Sequence, residues 1–424
     1  MGKVDLSILL SCYPDEGNAE GILSAVQAFA KRHEIACDVS LLRHGSNPKR
    51  DDASGDGKPE LSTNVIWRNS FGECFREGLK SAKGEWILTI NTNGSHNPSY
   101  LHMLWKNRLD ADMVIASRYV RGGFSNRSFP GALSGRILNW FLVSILDIPV
   151  RDITSGFFIC RREALGEFDL SSKDYDVFVE AIVKTYAFGF KIAEVPFHAT
   201  APSHARSTWG KTRHAYNLLR SSFSLWRTRN TVYFADYDLR AYQSRLPPQR
   251  WWHRRRYKVT AAFMEEGLST LEVGCGTGRM FFAHPDHIGL DMDIRKTRFL
   301  GQWKYQVVTG DASALPFPDG SFEQLICQEV VEHSTQTEEI FSEFSRVLKP
   351  GGVLVLSTPD YSPGSLWPPI EKIYARVMPN AYAEEHITRF TRESLRSVLE
   401  EHGFEVSASK NAFFSIMHVK ALRK

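Results

Sequence analysis

The run TLEVGCGTG, Thr270 to Gly278, constrains this chain more than any other stretch. A short apolar run leads straight into glycines on alternate positions, Gly274, Gly276 and Gly278. That spacing lets backbone turn sharply and approach a ligand with no Cβ in the way, as the first strand and turn of a nucleotide-type α/β sheet require. Taken alone, the turn fits a dinucleotide as well as any other nucleotide-like ligand. The residues after it narrow the reading. A second strand, HIGLDMD, ends in Asp291, placed to accept both hydroxyls of a ribose. A third, KYQVVTGDASALPFPDGSFE, carries Asp311 and Ala312, and a fourth, FEQLICQEVVEH, ends in Gln328, Glu329 and His333. A helix over TEEIFSEFSRVLK, a turn at Pro350, Gly351 and Gly352, and a fifth strand, GVLVLSTPD, complete the alternation expected of a doubly wound parallel sheet.

From about Trp251 onward the chain resembles the class I S-adenosylmethionine-dependent methyltransferases. LEVGCGTG, IGLDMD, GDASALPFPDGSFE, EVVEH and RVLKPGGVLVLSTPD match that pattern in order, and HITRFTRESLRSVLEEHGFEV is similar to its late helix and strand. The resemblance implies a Rossmann-like fold and S-adenosylmethionine as cofactor. It implies that Glu272 and the glycine loop hold the methionine part, Asp291 the ribose, Asp311 with Ala312 the adenine, and that Gln328 lies beside the sulfonium. Methyl transfer from a sulfonium depends mainly on alignment of donor and acceptor. A base is needed only for a weakly acidic acceptor such as a hydroxyl, and His333 is the candidate, with pocket shaping or helix capping as its structural alternative. No N-P-P-Y-type motif follows the fourth strand, which disfavours methylation of nucleic-acid bases, and no nucleic-acid partner is expected.

At 424 residues, two domains are expected, because single cores stop growing near ~250–300 residues. The first half also alternates strands and helices, from DLSILLSCYP through GEWILTINTNGSH to FKIAEVPFHA. Over roughly residues 5 to 210 it resembles a family 2 glycosyltransferase of the GT-A fold, and within that group the polyprenyl-phosphate sugar synthases, on the blocks GLKSAKGEWIL, SRYVRGG, VRDITSGFFICRREAL and FKIAEVPF. The resemblance places Tyr13, Asp15 and Asn18 where a nucleotide is held, with Ser11 and Pro14 departing from the usual residues. It also exposes two losses. The family's D-A-D-L-S-H-P-P stands here as Asn91-Thr92-Asn93-Gly94-Ser95-His96-Asn97-Pro98, and its D-D-G-S as Arg43-His44-Gly45-Ser46. Magnesium prefers charged oxygens and gives up water reluctantly, so two amides replace two carboxylates poorly, and no metal ligand set is read. Arg43, with Arg118 and Arg151, is the candidate for neutralising a phosphate directly. The expected outcome is a domain that binds nucleotide, sugar or lipid phosphate without metal-assisted transfer.

Charge is uneven along the chain. Between Ala201 and Thr260, thirteen Lys or Arg face two acids, so that segment carries +11 and the rest of a chain of net +4 sums to −7. The segment is rich in aromatics, as in YNLLRSSFSLWRTRNTVYF and PPQRWWHRRRYK, and Pro247 and Pro248 read as a break. Residues 1–212 are therefore expected as a glycosyltransferase-like domain, 213–250 as a basic aromatic linker, and 251–424 as the methyltransferase. The linker is either a solvated basic face or a contact with an anionic membrane surface through Arg254, Arg255 and Arg256. ILNWFLVSILDIPV is interrupted by Asn139, Ser144 and Asp147 and falls short of the ~20 residues that span a bilayer. The six cysteines form no C-x-x-C pair, and MGKVDLSILLSCYPDEG reads as a strand rather than a signal peptide. The expected protein is cytoplasmic, peripheral at most, and methylates a sugar, glycolipid or polyprenyl-linked intermediate. The alternatives are a bifunctional glycosyltransferase and methyltransferase, and a non-catalytic membrane-surface scaffold.

Overall fold

The computed structural model describes residues 4–12, 19–45, 63–126, 128–201, 208–229, 231, 233–281, 284–377 and 386–424. The chain forms two compact units, Met1–Arg229 and Asn230–Lys424. Both are mixed α/β, as the alternating pattern requires.

In the first unit the strands are β1 (Leu6–Cys12), β2 (Cys37–His44), β3 (Thr63–Arg68), β4 (Trp86–Asn91), β5 (Met113–Ser117), β6 (Phe124–Ser125), β7 (Phe158–Arg161), β8 (Ile192–Pro196) and β9 (His198–Ala199). Seven of them make one sheet in the order β3-β2-β1-β4-β7-β5-β8, in which β7 alone runs antiparallel to its neighbours. Every residue of β1 is buried, as expected of a central strand covered on both faces. The order reverses between β1 and β4, so their carboxyl ends, Cys12 and Asn91, open at the switch point where doubly wound sheets bind ligands.

The second unit contains β10 (Thr270–Val273), β11 (Ile288–Asp291), β12 (Gln306–Thr309), β13 (Phe322–Gln328), β14 (Leu348–Pro359), β15 (Phe404–Ala412) and β16 (Ile416–Arg423). Their order is β12-β11-β10-β13-β14-β16-β15, parallel except for β16, which is antiparallel to both β14 and β15. Here the switch lies between β10 and β13, which puts the glycine turn and the Gln328–His333 segment side by side. Leu271, Val273, Leu325, Cys327, Leu354 and Leu356 alternate into one buried core, which Phe341, Phe344 and Leu395 cover from helices.

The segment read as a linker is largely helical. One helix, Thr208–Arg229, closes the first unit, and two more, Tyr237–Tyr242 and Pro247–Ala261, open the second. Pro247 and Pro248 start a helix rather than break one, because proline's missing N–H has no partner to lose in a first turn. Two of the counted arginines are not solvated. Arg229 is fully buried and donates to the carbonyls of Leu146 and Asp147 at 3.1 Å each, closing the end of the helix Phe129–Leu146. Arg256 pairs with Glu329 at 3.2 Å.

That same helix revises the reading of ILNWFLVSILDIPV. It runs for 18 residues and carries Phe129, Leu133, Ile137, Trp140, Phe141 and Ile145 exposed. Asn139 does not interrupt this face, because it turns inward, where its amide bonds the backbone of Arg151 and Ile153. Asp147 lies beyond the last turn, in a left-handed cap at φ 49°.

Candidate functional site

In the second unit, the three glycines of the turn all have positive φ, 69° at Gly274, 54° at Gly276 and 70° at Gly278. A Cβ on Gly274 would meet Val330 Cγ2 at 2.1 Å, so the turn and the segment after β13 fit together only without a side chain there. Asp291, at the end of β11 and 6% exposed, ties the turn down: one carboxylate oxygen accepts from Gly276 N and the other from Asp293 N, both at 2.9 Å. Each oxygen keeps a further lone pair for a hydroxyl donor.

Glu272 is placed differently from the sequence expectation. It is buried beneath the turn, where its Oε2 lies 2.9 Å from His287 Nε2. Burial opposes a proton on His287, but the Glu272 carboxylate outweighs it and holds that imidazole above its ordinary value. Glu272 thus braces β10 against the residue that leads into β11. Asp311 is exposed and caps its own turn, accepting from Ser313 N at 2.9 Å and Ser313 Oγ at 2.8 Å, with Ala312 beside it. Gln328 Oε1 accepts from Thr260 Oγ1 at 3.0 Å, and Thr260 also lies 3.3 Å from His418 Nδ1. Burial pushes His418 down to about 4, so this chain of polar groups is neutral.

Sequence reasoning missed Asp238. It stands over the turn, where a Cβ on Gly276 would lie 2.6 Å from its Oδ2, and its neighbour Leu239 donates to Thr277 Oγ1 at 2.9 Å. Burial would raise the Asp238 carboxyl, but Arg279 and Lys296 outweigh it and keep it below the usual carboxylate range. A turn with glycine at alternate positions, flanked by the carboxylates of Asp238 and Asp291, fits a ligand with vicinal hydroxyls and positive charge, which is what S-adenosylmethionine presents.

Beyond Gln328 the backbone passes through Glu329 at φ 54°, a conformation costly for a residue with a side chain. Glu329 is held by Arg256 and by Ser357 Oγ at 3.1 Å. Glu332 is fully buried, and burial, with the Glu329 charge adding to it, pushes its carboxyl well above the ordinary range. His333 follows, its ring centroid 5.0 Å from that of His386.

In the first unit, Tyr13, Asp15 and Asn18 lie outside the described residues, as does Ser46. Asn91 and Asn93 are described, and they form a neutral knot. Asn91 N donates to His96 Nδ1 at 3.1 Å, so the ring carries its proton on Nε2; the Asn91 side-chain nitrogen, itself a donor, lies 3.3 Å from it, and among the described residues no donor reaches Asn91 Oδ1. Asn93 Oδ1 accepts from Ser95 N at 3.0 Å and Ser95 Oγ at 2.5 Å. His96 stacks on Phe157 at 4.8 Å, and burial, with the Arg118 charge adding to it, pushes it down to about 3. Arg118 is committed to Asp152, to which it donates at 2.6 and 2.7 Å, and to Thr154 at 2.7 Å. Burial disfavours its charge, but fully buried Asp152 outweighs that and raises it. Arg118 is therefore a strut of the sheet's open end. Arg151 is exposed, and its backbone N is held by Glu194 at 2.7 Å. Arg43 is half-buried at the end of β2. Of the residues proposed for a phosphate, Arg118 is thus already paired, while Arg43 and Arg151 reach solvent.

Comparison with known proteins finds relatives of two kinds. Residues 271–356 match the family model of the methyltransferase domain. Sterol 24-C-methyltransferase of Pneumocystis carinii is 30% identical over 156 residues, covering 34% of this chain and 40% of that protein. A probable S-adenosylmethionine-dependent methyltransferase of Mycolicibacterium smegmatis is 31% identical over 180 residues, 40% of this chain and 65% of its own length. Polyprenol monophosphomannose synthase of the same organism is 33% identical over 205 residues, covering 42% of this chain and 77% of the relative. The chain thus spans only 40% of the length of the sterol methyltransferase it matches.

Proposed function

We propose that this chain, which belongs through its first half to the family of polyprenol monophosphomannose synthase and carries a methyltransferase domain in its second, methylates a sugar, glycolipid or polyprenyl-linked acceptor that the first unit helps to present. The cofactor is S-adenosylmethionine, which supplies an electrophilic methyl group when bound. The chain's own residues do the rest. The glycine turn and Asp291 orient the cofactor, Asp238 adds charge complementarity above the turn, and the segment Gln328–His333 borders the acceptor side. With donor and acceptor aligned, positioning alone can offset roughly 7–11 kcal/mol of a bimolecular barrier.

The observation that carries this reading is the contrast between the two switch points. At β10 and β13 three glycines open the turn, and carboxylates flank it. At β1 and β4 the neutral amides Asn91 and Asn93 stand instead, the side-chain oxygen of the second accepting from Ser95. A bifunctional reading draws support from the relative's 77% coverage. The exposed apolar helix Phe129–Leu146 supports a lipid-linked acceptor met at a membrane surface.

Calorimetry with S-adenosylmethionine tests the cofactor site. Asp291→Ala removes the hydroxyl acceptors and frees Gly276 N, and hydrogen bonds to charged groups contribute ~1.5–3 kcal/mol each, so affinity should fall at least about tenfold. Unchanged affinity would remove Asp291 from the site and with it this assignment.

A further inference from the structure

Beside the turn lies a group of side chains that methyl transfer as described leaves unused. A carboxylate oxygen of Glu332 and one ring nitrogen each of His333 and His386 all lie within 4.8 Å of one another. We propose that Glu332, His333 and His386 bind a divalent transition-metal cation at the acceptor side of the methyltransferase unit. The inference rests on the reading of that unit given above and adds a metal to it, where the sequence alone pointed to none.

The site is built, not incidental. His386 reaches it because the backbone N–H groups of Ile387 and Thr388 both donate to the Glu332 carbonyl, at 2.8 and 3.0 Å, and Thr388 Oγ1 donates to Ser334 O at 2.8 Å. Glu332 is fully buried with half its carboxylate engaged. Oε2 accepts from Thr358 Oγ1 at 3.1 Å, while among the described residues no donor reaches Oε1. An unmet carboxylate oxygen in a closed site is costly, and a cation would satisfy it.

The hydrogen bonds around His386 point the same way. Tyr361 donates its only hydroxyl proton to Glu371 Oε1 at 2.8 Å, so the contact of 2.9 Å between Tyr361 Oη and His386 Nδ1 has Nδ1–H as donor. Trp367 Nε1 donates to the same oxygen at 3.2 Å, fixing the tyrosine. Nε2 is left with its lone pair, and an imidazole whose other nitrogen is held by a carboxylate relay is the usual form of a metal-ligating histidine. Two imidazoles with one carboxylate suit manganese or zinc, whereas magnesium favours oxygen ligands. Three protein ligands leave coordination positions open, as at catalytic rather than structural metal sites. Val330 packs against Gly274 two residues before Glu332, so the cluster lies on a segment that borders the cofactor turn. An oxygen-bearing acceptor, such as a hydroxyl compound, is the class such a cation would hold.

Metal binding is measured directly on the full chain, stripped with chelator and equilibrated with manganese, zinc or magnesium chloride, by equilibrium dialysis with elemental analysis. The expected result is one manganese or zinc ion per chain, bound at least tenfold more tightly than magnesium. Combining Glu332→Gln with His386→Asn should abolish it. Combining Tyr361→Phe with Glu371→Gln, which removes both the hydroxyl and the carboxylate that face Nδ1, should weaken it by about 10- to 100-fold. Calorimetry with S-adenosylmethionine on the same samples separates the two readings. Loss of cofactor binding with metal retained overturns the proposed function and leaves the site standing. No stoichiometric metal on the folded wild type, or binding undiminished in either folded double variant, overturns the site.

Discussion

Asn91, Asn93 and His96 show how an ion site becomes a neutral one at the scale of single residues. Where a related sequence would place two anionic oxygens, this chain places two neutral amides and a buried imidazole that must stay uncharged. The consequence is a pH dependence. His96 is pushed down to about 3 in the folded chain against an ordinary value of 6.5, so between those limits the unfolded chain binds a proton that the native one refuses. Stability from the buried neutral ring is complete above about pH 6.5 and is lost as pH falls toward 3. His96→Gln removes the titration. Wild type should lose roughly 2 kcal/mol more than the variant on going from pH 6.5 to 4.5, at about 1.4 kcal/mol for each pH unit in that window. Denaturant melts at both values check this, and parallel slopes for the two proteins would mean that His96 charges freely in the native state.

At the scale of elements, the helix Phe129–Leu146 decides how the first unit meets its surroundings. Among the described residues it is the only helix long and apolar enough to cross a membrane, yet only 17% of it is buried. In the neighbouring helix Thr208–Arg229, Tyr216, Leu219, Phe223 and Trp226 are also exposed, with Phe223 and Trp226 stacked at 5.7 Å. Two adjoining apolar faces of this kind fit the acyl boundary of a bilayer. Liposome flotation of the full chain should therefore depend on apolar area more than on charge. Ile137→Asp with Trp140→Ser should reduce bound protein several-fold, whereas Arg254→Ser with Arg255→Ser should matter less and mainly at low salt. Undiminished flotation of the first variant would return the interaction to the arginines.

This face was not legible in the sequence, because only the fold reveals that Asn139 points inward. That the glycine turn and Asp291 would meet was legible, since both stand at the ends of adjacent strands. Asp238 and His386 were not, since each reaches its site from an element distant in sequence. Glu272 and Arg118 were read as ligand contacts because motif position cannot distinguish a side chain facing a ligand from one braced against His287 or Asp152.

For the molecule as a whole, the remaining question is whether one unit or both turn over substrate. Two sheets of similar layout are joined in one chain, and each opens at its own switch point; among the described residues the second carries the carboxylates of Asp238 and Asp291 there, and the first the amides of Asn91 and Asn93. The unmodified chain should accordingly release no nucleoside diphosphate from common nucleotide sugars in a magnesium- or manganese-dependent way. Metal-assisted transfer relies on the cation to neutralise the diphosphate, a contribution of several kcal/mol that amides cannot replace. Asn91→Asp with Asn93→Asp returns two anionic oxygens to a loop whose shape Ser95 and His96 still fix, and manganese affinity should rise at least about tenfold. The gain is best measured in a His386→Asn background, so that the cluster in the second unit contributes little. Full transfer need not follow, because Arg43 still stands at the end of β2 and opposes a cation there. Robust divalent-dependent release by the unmodified chain would instead show that amides suffice, and the bifunctional reading would then replace the one proposed.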